Sequence, residues 1–189
     1  MALTVAGRRR QRSRRERATG RFAPGEHFAM IPVDVMLSEA WAALPDYAVR
    51  VALALAAQYR GTNNGNLSLT QVLARELGIR ALWKIPVGLQ LLMRTGLILR
   101  TREGKVGHGR GICALYALGW KPINMTPNAY PSIDRQLPAP NDWLRWKRSP
   151  DWYEFEKRVR RRARGRRNNS DSTFDQTPRE VQIQSLRGD

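Results

Sequence analysis

Cysteine is nearly missing from this chain. Cys113 is the only one in 189 residues, so no intramolecular disulfide can form and a disulfide-framed secreted domain is excluded. Histidine is almost as scarce, with His27 and His108 far apart. One thiol and two separated imidazoles do not make a zinc site, and there is no His-x-His pair of the kind nicking enzymes use. No Gly-Lys-Ser/Thr follows Gly107, Gly109 and Gly111, so these glycines do not read as a nucleotide phosphate loop. No nucleophile and base stand in a pattern that suggests catalysis. The expectation is a protein that is not an enzyme and takes no cofactor or metal. Long apolar runs are missing too. The longest, Val51 to Ala57, falls far short of the roughly 18 residues that a membrane-spanning helix needs. The first residues are arginine-rich with no apolar segment behind them, which argues against a secretory signal and for a cytoplasmic chain.

Negative charge is the remaining scarcity. Lys and Arg number 33 against 16 Asp and Glu, a formal net charge of +17, while 42% apolar residues suffice for one domain with a core. A chain this basic attracts polyanions. The excess is uneven. Residues 1–20 hold seven arginines and one glutamate, and residues 143–167 hold 11 basic residues against 3 acids. These two stretches carry +14 of the +17, while residues 168–189 are net acidic. Runs of like charge cannot pack a core and stay mobile until a polyanion arrives.

Between the basic stretches the chain alternates helix and turn signals. Phe28 to Pro32 reads as a short edge strand ended by its proline. Asp34 to Leu44 reads as helical, broken at Ser38, which can cap Glu39-Ala40-Trp41. A helix then runs from Pro45 through Tyr59, with Val49, Ala52, Leu53 and Ala56 on one face and Val51 and Leu55 on another. Gly61 to Asn66 is turn chemistry. Ser68-Leu69-Thr70-Gln71 reads as a capping box with Ser68 at the cap. The helix it opens carries Leu69, Val72, Leu73 and Leu77 inward and stops at Gly78. A further helix places Ile85, Leu89 and Leu92 inward and ends before Gly96. Leu97 to Arg102 and Ile112 to Leu118 read as strands joined by a basic, glycine-rich loop, with Cys113 a small core residue. Five prolines then mark a connector. Ser149-Pro150-Asp151 is a strong helix start, with Trp152, Phe155 and Val159 on one face and Gly165 as the stop.

Several local groups carry a family likeness. They are Ala48 to Tyr59, Asn63-Asn64-Gly65, Leu67 to Thr70, Leu77-Gly78-Ile79, Leu89 with Leu92, Gly96 to Thr101, and Cys113 to Leu118. Over about residues 28–123 the chain resembles the winged-helix, helix-turn-helix proteins of bacteria, phages and mobile elements, some of which resemble replication initiators. The resemblance implies a mainly α fold with a small β-hairpin wing, and contact with DNA. It implies no particular operator or origin. The expected organisation is a basic disordered arm at 1–24, a winged helix-turn-helix domain at 25–123, a proline-rich connector at 124–148, a basic amphipathic helix at 149–167 and a disordered tail at 168–189.

A helix fits the major groove of duplex DNA, where base edges are distinguishable. Arg80, Lys84, Gln90 and Arg94 are the residues of the third helix and its preceding turn able to reach DNA. Two features oppose that role. Pro86 is harmless only if the helix starts near Lys84 or Ile85. Val87 and Leu91 share the outer side with Gln90 and Arg94, so this face could instead pack on a partner subunit or on the C-terminal helix. The wing offers Arg100, Arg102, Lys105 and Arg110, the first two alternating onto one side of a strand. The arms offer Arg8, Arg9, Arg10, Arg12, Arg14 and Arg15, and Arg158, Arg160, Arg161, Arg162, Arg164, Arg166 and Arg167. Aromatics among these basic residues suit stacking on single-stranded bases; the plainer account docks Trp152 and Phe155 on the core. The expectation is a nucleoid-associated binder of duplex DNA in transcription regulation or replication initiation. An RNA- or single-strand-binding protein, or an accessory protein that recruits a replication or transcription partner, is the alternative. A homodimer is compatible with it, though no heptad marks one.

Overall fold

The computed structural model describes residues 28–105 and 111–174, with side chains described as far as Gly165. The described residues form six α-helices and one antiparallel hairpin. Residues 28–32 form no strand; the Pro32 carbonyl instead accepts from Val35 N and Met36 N and starts α1 (Val33–Leu37). Ser38 interrupts the chain in extended conformation and its hydroxyl accepts from Trp41 N, opening α2 (Glu39–Ala42) as expected. Pro45 precedes α3 (Asp46–Ala56). Ala48, Val51, Ala52, Ala54, Leu55 and Ala56 are buried, so α3 packs on more than one side, as its sequence suggests, whereas Leu53 is exposed.

The next helix starts two residues later than its capping box suggests. Leu67 pairs with Tyr116 through both backbone groups, and Gln58 Oε1 accepts from Ser68 N. That pairing holds 67–69 extended. Thr70 becomes the cap, its hydroxyl accepting from Leu73 N, and α4 is the short Gln71–Glu76. A cap of this kind contributes about 1 kcal/mol, so that contribution belongs to Thr70 rather than Ser68. With six residues, α4 buries Ala74 fully and leaves Val72 64% exposed and Leu77 42% exposed, contrary to the inward placement expected of them. Gly78 (φ +79°) turns the chain back as expected.

A 3-10 turn at Leu82–Lys84 leads into α5 (Ile85–Arg94), so Pro86 lies in the first turn, where its missing N–H costs nothing. Gly88 makes the α3–α5 crossing close: a Cβ there would stand 2.9 Å from Val51 Cγ2 and 3.3 Å from Ala48 Cα. Ile85, Leu89 and Leu92 point into the main core, as the spacing predicts. The hairpin follows as β1 (Ile98–Arg102) and β2 (Leu115–Leu118). A register irregularity between Arg100 and Arg102 breaks the simple alternation, so Ile98 and Thr101 face inward. Beyond it Lys105 pairs with Ile112, and Cys113 is exposed rather than in the core, because β2 begins only at Leu115.

Asn64, fully buried in the 61–66 turn, ties this turn to the end of the hairpin. Its Nδ2 donates to the carbonyls of Leu118, Lys121 and Pro122, and its Oδ1 accepts from Leu118 N at 2.7 Å. Nothing in the turn composition distinguishes this asparagine from its neighbours. The proline-rich connector is pinned by bridges Ile123–Leu137 and Thr126–Ile133 and by Trp143, which is buried in the main core.

The last helix, α6 (Trp152–Phe174), runs through Gly165 instead of stopping there. A glycine ends a helix when it takes left-handed dihedrals; Gly165 does not, and it stands in open space inside a run of arginine helix formers. The first seven residues of the expected disordered tail, 168–174, are therefore helical, and 175–189 lie outside the described residues. Among the described residues no helix is long and apolar enough to cross a membrane.

Candidate nucleic-acid interface

The outer face of α5 is covered. Val87 and Leu91 are completely buried, in a second apolar cluster with Ala43, Ala48, Trp152 and Val159, and Tyr47, Phe155 and Ala163 pack at its edge. Of the two occupants that the sequence leaves open, it is the C-terminal helix that lies there. Trp152 stands edge-on to Trp146, with centroids 5.0 Å apart, and 5.9 Å from Phe155. Trp146 and Trp152 thus pack among protein groups rather than standing free as base-stacking platforms, and among the described side chains of α6 Tyr153 is the exposed aromatic.

This docking redistributes the candidate residues. Gln90 remains exposed on α5. The Arg94 guanidinium lies 5.6 Å from the Phe155 ring and lines a cleft of about 320 Å³ with Arg145 and Lys147. Arg158 lies 5.7 Å from the same ring. Lys84 sits over Tyr47 (5.4 Å) and Trp83 (5.5 Å), and Arg164 of α6 reaches the same Trp83 at 5.6 Å. Arg80 is exposed in the turn after Gly78 and shares a cleft of about 680 Å³ with Lys84, Arg50 and Arg160. Arg160 also belongs to a shallow groove along α6 with Tyr153, Lys157, Arg161 and Arg164. The two hollows therefore run together at Arg160. Arg50 and Lys157 join the band although nothing in the local sequence marks them. Their place in this band is set by docking of α6, which leaves no local signal.

Of the acids nearby, Asp46 lines the 680 Å³ cleft and Glu156 is already engaged. Glu156 accepts from Tyr47 Oη (3.4 Å) and stands 3.6 Å from Arg160. Burial and the Glu156 charge push the Tyr47 phenol well above its ordinary range, so it stays protonated as the donor of that bond. Lys157 meets Glu154 at 3.7 Å on the exposed side, where such a pair contributes little.

The wing is different. Arg100 is 2.6 Å from Glu103. Arg102 donates through Nε and Nη2 to the Cys113 carbonyl and through Nη1 to the Asn128 carbonyl. It staples the hairpin to the connector, and the expected pairing of Arg100 and Arg102 on one free strand face does not form. Lys105 lies over the Tyr130 ring at 5.8 Å. Arg110, the arm residues Arg8, Arg9, Arg10, Arg12, Arg14 and Arg15, and the side chains of Arg166 and Arg167 lie outside the described residues; Arg162 is exposed on α6.

Comparison with family models, curated proteins and solved structures finds no match.

Proposed function

We propose that the chain is a nucleic-acid-binding protein of winged-helix type that binds duplex DNA without catalysis and acts in transcription regulation or replication initiation of a bacterial or mobile-element system. The element order supports the fold reading: α3, the Leu67 bridge onto β2, α4, a glycine turn, α5, then the hairpin. Bacterial nucleoid association follows from the same reading.

The observation that carries the function is the cationic band formed by Arg50, Arg80, Lys84, Lys157, Arg160, Arg161 and Arg164 across α3, the turn and α6. A phosphate backbone is the polyanion that such a band fits, because phosphate contacts supply affinity without needing free base-reading side chains. A duplex approaching this side meets the arginines of α6 before it meets α5. Burial of Trp143 and Trp152 removes two rings on which single strands would stack and leaves Tyr153 exposed in the groove. Fluorescence anisotropy with duplex DNA, single-stranded DNA and RNA of one length tests the reading. Tightest binding to the duplex, with affinity falling steeply as salt rises, is the expected result. Tighter binding to RNA or to single strands would replace it with the single-strand account.

A further inference from the structure

We propose that the 680 Å³ cleft between α3, the 78–84 turn and α6 is a phosphate site, which seats one phosphodiester of the bound nucleic acid and clamps α6 to the core. The proposal rests on the nucleic-acid reading and goes beyond it in assigning a discrete seat and a second role. Arg50 comes from α3, Arg80 and Lys84 from the turn, and Arg160 from α6; Asp46 is the one carboxylate that lines the cleft with them.

Neither the Arg50 nor the Arg80 side chain has an ion pair or hydrogen bond among the described residues, and Lys84 contacts rings alone. Like charges gathered in one hollow repel each other unless an anion stands between them. The floor is apolar, with Val51, Ile79 and Ile85 all buried, so charges at the rim are less screened than on an open surface. Guanidinium groups from two directions match the oxygens of a phosphate by paired hydrogen bonds. The volume lies within the range of ordinary ligand pockets and admits a phosphodiester with its flanking sugars.

Arg160 lies on α6, and the other three cations lie on the core. An oxyanion held by all four therefore bridges the boundary at which α6 docks. Binding of a phosphate should resist undocking of α6 as well as add affinity, because a ligand stabilises the state that binds it.

The test compares two double variants of the full chain that each remove two positive charges. Arg50→Gln with Arg80→Gln removes two of the cleft's three cations that have no ion pair among the described residues. Arg158→Gln with Arg162→Gln removes two exposed arginines of α6 outside it. Affinity for a duplex is read by anisotropy, and the melting temperature is read with and without inorganic pyrophosphate. The cleft variant should lose about tenfold or more in affinity, the control clearly less. Pyrophosphate should raise the melting temperature of the wild type and the control, and not that of the cleft variant. Equal affinity losses, or an equal pyrophosphate shift in all three, would show a diffuse field in place of a seat. Pyrophosphate stabilisation confined to chains with an intact cleft, in a protein that binds no nucleic acid, would keep the site and overturn the nucleic-acid reading instead. A duplex bound equally well by wild type and cleft variant would do the reverse.

Discussion

The hairpin and the C-terminal helix are both basic in sequence, yet their cations are engaged differently. Arg100 faces Glu103 and Arg102 is bonded to two backbone carbonyls, so the root of the wing uses its arginines to hold itself together. Along α6 and the cleft beside it, Arg50, Arg80, Lys84, Arg161 and Arg164 form no ion pair among the described residues, although Asp46 lines the same cleft. A count of charges does not measure charge available to a ligand. What matters is which guanidinium groups the fold has already provided with acceptors.

Breaking the packing on each side gives the largest expected effects. Trp152→Ala removes the aromatic that covers Val87 and Leu91 and should cost about 4 kcal/mol, read by chemical denaturation. A loss below about 1 kcal/mol would mean that α6 docks without it. On the hairpin side, Asn64→Ala leaves Leu118 N and three carbonyls without their partner and should cost about 3 kcal/mol. Near-neutrality there would mean that water replaces the amide.

The pieces legible in the sequence are those set by local chemistry. Ser38, Pro45, Gly78 and Gly96 mark helix boundaries because a cap or a left-handed turn needs only its own neighbours. Leu89 and Leu92 read as core from their spacing. What stayed hidden depends on distant partners. Asn64 binds a strand 54 residues away, and Tyr47 reaches Glu156 across 109 residues. The Leu67–Tyr116 bridge moved the cap from Ser68 to Thr70. Within the site, Arg80, Lys84 and Arg160 read from the sequence as cations able to reach DNA, but their meeting with Arg50 in one cleft comes from the docking of α6.

Smaller effects sharpen the contrast. Arg102→Ala should destabilise the hairpin by about 1 kcal/mol while changing duplex affinity little, the opposite pattern to a phosphate contact. A large affinity loss at unchanged stability would return Arg102 to the interface. The smallest effect concerns Glu39, which accepts from Arg148 N (2.9 Å) and pairs with Lys147 (3.1 Å). Those contacts, the Arg148 bond foremost, lower its pKa below the ordinary carboxylate value. Its contribution is present above the unfolded pKa and is lost as pH falls through the lower folded one. Glu39→Gln should therefore flatten stability slightly on the acid side, and an unchanged acid profile would show the pair to be idle.

The central claim is that the band along α6, and not the wing, holds the nucleic acid. The salt dependence of duplex affinity tests it most directly, for wild type, for Lys157→Gln/Arg161→Gln/Arg164→Gln, and for Arg100→Gln/Lys105→Gln. Each phosphate contact contributes about −0.9 to the log–log slope on B-DNA. The α6 variant should flatten the slope by about 2 to 3 units and the wing variant by less than about 1. A wing variant that flattens the slope as much, or an α6 variant that leaves it unchanged, would contradict the account.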